Sequence, residues 1–249
     1  MSSVHESTKE EFERIQAERE EYVKNIGIEY RFGCYKENKP DSCHLLGQWF
    51  ENVEKNFEKS YNLFKDNCLT RKYPQSCYKY ANYRISGTKE KPERLEELID
   101  AFKMACDGGV TPGCQTLGLI YWNGEKGRSP NPELAVKYLE RACELEDAMA
   151  CFRLSNWYRT SEEERKKERT ENKPSNFGFV PKDTEKALSF AIRACDLGYS
   201  NGCMHAALMY RGRDGFPLDK DKAVDYVKKA KEIEGLAKKT NLKTGFTGQ

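Results

Sequence analysis

Apolar residues recur along the chain at steps of three and four, which predicts helices throughout and no strand. Residues 1 to about 9 look frayed. From Thr8 to Phe32, Phe12, Ile15, Val23, Ile26 and Tyr30 stand among charges, predicting a first helix with Cys34 just past its end. Further on, Leu95, Leu98, Phe102 and Ala105 share one helical face, and Leu134, Val136, Leu139 and Ala142 share another. Breakers separate such stretches: Gly87 with Pro92, Gly124 with Pro130 and Pro132, Pro181, and Gly215 with Pro217. Pro92 and Pro132 suit a first helical turn, and Asn131, Asp183 and Asp219 have the side chains of N-caps.

The pattern repeats itself. Ten cysteines fall in five close pairs, Cys34/Cys43, Cys68/Cys77, Cys106/Cys114, Cys143/Cys151 and Cys195/Cys203, with none left over. Aligned on the second cysteine of each pair, five similar helix starts appear. Four residues on sits a small residue each time: Gly47, Ala81, Gly118, Ser155 and Ala207. Six or seven residues on sits an aromatic: Trp49 and Phe50, Tyr83, Tyr121, Trp157 and Tyr158, and Tyr210. A small residue lets a neighbouring helix approach, and a ring one turn later fills the space beside it. Each of these A helices is followed by a second helix, B, and three B helices end alike, in KMACDGG, ERACELE and IRACDLG. First cysteines recur every 34 to 38 residues, except for 52 between Cys143 and Cys195. The excess is the polar segment Thr160–Val180, expected as an A helix running on into solvent and then a loop. A partner site on its charge run is the alternative.

Within one straight helix, partners eight apart are separated by roughly 12 Å, and a disulfide needs Cα atoms closer than about 7 Å. Bonded pairs therefore require a chain reversal between their members, each pair stapling a B helix to the next A helix. The ends obey the scheme. Cys34 closes a lone B-type helix, and the last B helix has Lys231 where the others have cysteine, with no further A helix to staple. The predicted architecture is an all-α, right-handed α/α solenoid over residues 10–240, with five helix pairs after the first helix, a disordered stretch at 1–9 and a flexible tail at 241–249. Each repeat buries its face only on its neighbours.

Composition narrows the classes. A net charge of only +2 with a third of the residues charged marks neither a nucleic-acid nor an anionic-membrane binder. No apolar run is long enough for a membrane span. The first twenty residues lack both the apolar core of a signal peptide and the composition of an Arg-rich presequence. That leaves the cysteines with three explanations: reduced and buried thiols in the cytosol, a metal site, or an oxidising space reached without a cleaved signal. Zinc favours closer C-x2–4-C spacing with supporting ligands, and the mitochondrial intermembrane space is an example of the third.

The A-helix pattern Leu117, Gly118, Tyr121 and the B-helix runs Ala135, Tyr138, Ala142, Cys143 and Ala187, Phe190, Ala194, Cys195 resemble Sel1-like repeats, relatives of tetratricopeptide repeats. The evenly spaced pairs make the chain similar to the cysteine-rich subgroup, and within it to a eukaryotic branch that assists respiratory complex IV. The resemblance covers nearly the whole chain. It implies a protein of the intermembrane space, oxidised there by the disulfide-relay import oxidoreductase. It implies complex IV subunits or other assembly factors as partners, and neither nucleic acid nor membrane span.

Alternatives from other classes follow from particular residues. A thiol-disulfide oxidoreductase acting on complex IV subunits would want a solvent-poised dithiol with a lowered thiol pKa, and no C-x-x-C is present. Haem binding would draw on His5, His44 or His205, which read better as surface or packing histidines, so no ligand is assigned. Met104, Met149, Met204 and Met209 fall mainly at helical packing positions. Cofactors are expected to be none. Ser76 and Lys79 match S-x-x-K, and Lys243, Thr244 and Gly245 match K-T-G, as in β-lactamase-like hydrolases. That chemistry needs the second motif on a strand beside the serine, and S-D-N is absent. The A-helix rings are expected to be mainly core, with some lining a partner groove.

Overall fold

The computed structural model describes residues 2–87, 95–124, 129–160, 180–212 and 215–244. Every regular element among them is helical: α1 (Ser2–Tyr35), α2 (Pro40–Asn52), α3 (Phe57–Leu69), α4 (Pro74–Gly87), α5 (Leu95–Asp107), α6 (Thr111–Asn123), α7 (Pro132–Glu144), α8 (Ala148–Arg159), α9 (Thr184–Asp196), α10 (Ser200–Tyr210) and α11 (Lys220–Thr244). The even-numbered helices are the A helices, and the odd-numbered ones after α1 are the B helices. The chain divides into two compact units, Met1–Gly108 and Gly109–Gln249. Inside each, a helix packs chiefly on the helices before and after it in sequence. This is the helical-repeat class expected from the periodicity.

Local signals start the helices where the sequence placed them. Asn131 accepts from the Leu134 backbone N–H, Asp183 from that of Lys186 and Asp219 from that of Lys222. Each carbonyl or carboxylate oxygen thus satisfies one of the free donors of a first helical turn. Asn56 and Asp147 cap α3 and α8 in the same way. Gly124 ends α6 in the left-handed region at φ 65°. Three boundaries differ from expectation. α1 begins at Ser2, inside the stretch 1–9 expected to be disordered, and α11 runs on to Thr244, inside the tail expected at 241–249. The end of α1 also lies later than expected. Cys34 lies within the last turn of α1, because the helix continues to Tyr35. Of the run-on helix and loop expected at Thr160–Val180, residues 161–179 lie outside the described residues, as do the breaker Pro92 and, of the expected tail, residues 245–249.

Packing explains the small residue of each A helix. A Cβ on Gly47 would come within 2.5 Å of the Phe64 ring, and one on Gly118 within 2.7 Å of Leu139 Cγ. Glycine at these places lets a B-helix side chain sit directly on the A-helix backbone. Ala81, Ser155 and Ala207, at the same register, are also buried. Burying a side chain the size of Phe64, Phe102 or Leu139, none of which is exposed, contributes about 1.5–3 kcal/mol apiece.

Candidate functional site

The staples are built on turns that reverse the chain between a B helix and the next A helix. Each turn holds one residue in the left-handed region. In the longer loops it is four residues past the first cysteine, at Asn38 and Lys72, and in the shorter loops three past, at Gly109, Glu146 and Gly198. This brings Cα atoms to 4.5 Å for Cys34–Cys43, 4.6 Å for Cys68–Cys77, 4.9 Å for Cys143–Cys151 and 4.5 Å for Cys195–Cys203. Cys106 and Cys114 are also disulfide-bonded, and no cysteine is free. All ten are at most 2% exposed. The sulfurs belong to the core: Cys34 and Cys43 cluster with Leu46, Phe50 and Leu63, and Cys195 and Cys203 with Ala230.

The aromatics pair across helices. In the second unit Tyr121 stacks on Tyr138 at 5.6 Å, Tyr158 on Phe190 at 6.0 Å and Tyr210 on Tyr226 at 5.7 Å, each within about 10° of parallel. An A-helix ring thus lies on the B-helix ring five residues before the cysteine position. Trp122 and Trp157 stack at 3.6 Å. A lysine three residues past the cap covers several A-helix rings: Lys59 over Phe50 at 5.5 Å, Lys186 over Tyr158 and Lys222 over Tyr210 at 5.2 Å. The rings carry negative charge on their faces, which favours this placement.

The residues singled out for chemistry are accounted for differently. Ser76 has no exposed surface. Its Oγ accepts from Asn67 Nδ2 at 2.8 Å and shares a hydrogen bond of 3.0 Å with His44 Nδ1. Burial, with help from Lys79 and against Glu51, lowers the pKa of His44 to about 4, keeping it neutral. Lys79 turns to Glu51 at 2.9 Å. The S-x-x-K pair is therefore divided between a buried polar network and an ion pair. His44 also packs on Phe64 and Tyr73, and His205 on Phe152. Met209 is buried, and Met204 packs beside the Cys195–Cys203 staple. Among the described residues no cluster of His, Cys, Asp and Glu is grouped to hold a metal ion, and no helix is long and apolar enough to cross a membrane.

Two open grooves lie among the described residues. One, of about 550 Å³ in the first unit, is bordered by Arg31, Tyr35, Phe50, Lys59 and Leu63. The other, of about 500 Å³ in the second unit, is more apolar and lies between Leu188 and Ile192 of α9 and Phe216 and Pro217.

Comparison with known proteins places this geometry. The Sel1 repeat model matches residues 40–65, 114–147, 175–199 and 201–232. Cytochrome c oxidase assembly factor 7 of Xenopus tropicalis is 31% identical over 235 residues, 93% of this chain and 95% of that protein. The Drosophila melanogaster homolog is 31% identical over 257 residues, 91% and 92% of the two chains. The Homo sapiens factor is 31% identical over 142 residues, 54% of this chain and 60% of its own. Among solved structures, the uropathogenic Escherichia coli antigen c5321 superposes with a TM-score of 0.65 at 18% identity, covering 95% of this chain and 52% of that one. A Sel1 repeat protein of Oxalobacter formigenes gives 0.58 at 18% identity, with 83% and 82% covered. At that identity these two structures show the fold alone.

Proposed function

Because the chain belongs to the family of cytochrome c oxidase assembly factor 7, a family of Sel1 repeats, we propose that it helps assemble cytochrome c oxidase as a disulfide-stapled scaffold. The observation that carries this reading is 31% identity sustained over 93% of this chain and 95% of its relative. Cytochrome c oxidase is a mitochondrial complex, so the role brings a mitochondrial location with it. Fully paired cysteines favour the intermembrane space within that organelle, where a disulfide-relay oxidoreductase would form them. The partners are subunits of the oxidase or fellow assembly factors, bound on surfaces held rigid by the staples.

Burial favours a scaffold over an oxidoreductase. Disulfide exchange requires an attacking thiolate to reach a sulfur, and every cysteine of this chain is at most 2% exposed. Ser76, equally buried, has no opening for a hydrolase substrate.

The test is depletion of the protein from its own cells, followed by native electrophoresis of mitochondrial complexes. Mature cytochrome c oxidase should fall while other respiratory complexes persist, and return with the wild-type chain. Normal oxidase levels after complete depletion would overturn the role. The compartment is tested separately: rupturing the outer membrane should expose the protein to added protease while matrix proteins stay protected.

A further inference from the structure

The first helix, α1, departs from the other B-type helices at three places. Ile28, Phe32 and Tyr35 stand six and two residues before Cys34 and one after it. They are 54%, 58% and 62% exposed. Counted the same way from their cysteines, these positions hold Lys137, Arg141 and Glu144 in α7 and Ser189, Arg193 and Asp196 in α9. In α3 and α5 only Leu69 and Met104 interrupt a polar set, and α11 has none but polar residues there. Repeat packing therefore does not ask for apolar side chains at this register. The face of α1 that packs on α2 is the opposite one, carrying Tyr30 and Cys34.

A capping helix of a repeat array ordinarily presents a polar outer surface. Here the spacing i, i+4, i+7 gives a continuous apolar stripe instead. It runs into the groove of the first unit through Tyr35, a residue of both. The groove adds Phe50 and Leu63 as apolar floor and Arg31 and Lys59 as cations. Those two cations share one carboxylate, Glu54, at 2.7 and 3.5 Å, so the rim stays positive. Around the stripe, exposed Lys24 on α1 and Lys36 and Lys39 just past its end stand against Glu21, Glu29 and Glu37, so the excess of positive charge lies in the groove. Asp66, at the far edge, is taken up by Arg71.

We infer that the outer stripe of α1 and the adjoining groove form a docking surface for one amphipathic helix of a partner protein, with acidic residues flanking its apolar face. The stripe spans two turns, far short of the roughly 800 Å² per partner of a standard stable interface. That size fits a single helix laid in a groove and not the joining of two whole copies of this chain. The positive rim sets the sign of the flanking charges. The surface stands independently of the role in oxidase assembly.

The probes are two labelled 16-residue model helices with leucines at i, i+4, i+7 and i+11, one flanked by glutamates and its twin by lysines. Each is titrated by fluorescence anisotropy against the oxidised full-length chain at low and moderate salt. The glutamate helix should bind saturably, weaken as salt rises, and bind at least tenfold more tightly than the lysine helix. Phe32→Ser with Tyr35→Ser should weaken it at least tenfold with the circular dichroism spectrum unchanged, and Lys36→Glu should weaken it less. Equal binding of both helices, no saturable binding, or no loss in the double variant would overturn the proposal. So would sedimentation showing a dimer that the double variant converts to monomer, because the stripe would then be a self-interface.

Discussion

His44 Nδ1 lies 3.0 Å from Ser76 Oγ inside the first unit, with Asn67 Nδ2 donating to the same oxygen. Three helices, α2, α3 and α4, meet at that hydroxyl, and burial keeps the imidazole there neutral.

Protonation of His44 should therefore unfold the first unit earlier than the second. Its pKa is lowered from 6.5 to about 4 by burial first. A depressed histidine contributes stability that is fully present above 6.5 and is lost as the pH falls towards 4. The loss amounts to roughly 3 kcal/mol. Urea unfolding at pH 7 and pH 4.5 should show this slope, and His44→Gln should flatten it.

Substitutions at glycine should separate by what a Cβ meets. Gly47→Ala drives a methyl to within 2.5 Å of the Phe64 ring and should cost about 1–3 kcal/mol. Gly235→Ala, in α11 with nothing within 4 Å, should stabilise by roughly 0.5–1 kcal/mol. Thermal denaturation of the two single variants compares them directly.

The reversing turns offer a second contrast. Glu146 at φ 63° and Lys72 at φ 54° hold left-handed backbone with a Cβ. Replacing either with glycine should raise stability by about 1 kcal/mol. Gly198→Ala, at φ 84° with open space around it, should lower it by a similar amount. Chemical denaturation with all staples intact is the measurement.

Peptide mapping of the unreduced protein should return the four observed pairs and join Cys106 to Cys114. Removing one staple whole, Cys143→Ser with Cys151→Ser, should cost about 2.5 kcal/mol by the entropy of closing a nine-residue loop. An unchanged unfolding midpoint would mean that the denatured chain already holds that turn.

Much of this was legible because it is local. The caps at Asn131, Asp183 and Asp219 and the small residues at Gly47 and Gly118 each express a rule reaching no farther than one turn or one helix contact. The stacking of Tyr121 on Tyr138 needed the angle at which two helices cross, which no spacing states. Lys79 matches S-x-x-K by standing three positions after Ser76, yet in the fold it reaches 28 positions back to Glu51. His44, Asn67 and Ser76 come from separate helices, so their meeting was out of reach. The left-handed Glu146 was missed although it aligns with Gly109 and Gly198, each three residues past a cysteine. That alignment was the available signal. The apolar places of α1 were visible one by one, and only the described exposures separated Ile28, Phe32 and Tyr35 from the packed face.

The short loops under the staples also bear on how the protein becomes oxidised. Each cysteine's native partner is its nearest neighbour among the ten, eight or nine residues away in every pair. Closing a loop of that size takes on the order of 10–100 ns, far less time than thiol oxidation itself. A thiol activated by an oxidant thus samples its correct partner many times before any distant one. Oxidation can advance hairpin by hairpin, without waiting for the rest of the chain to arrive.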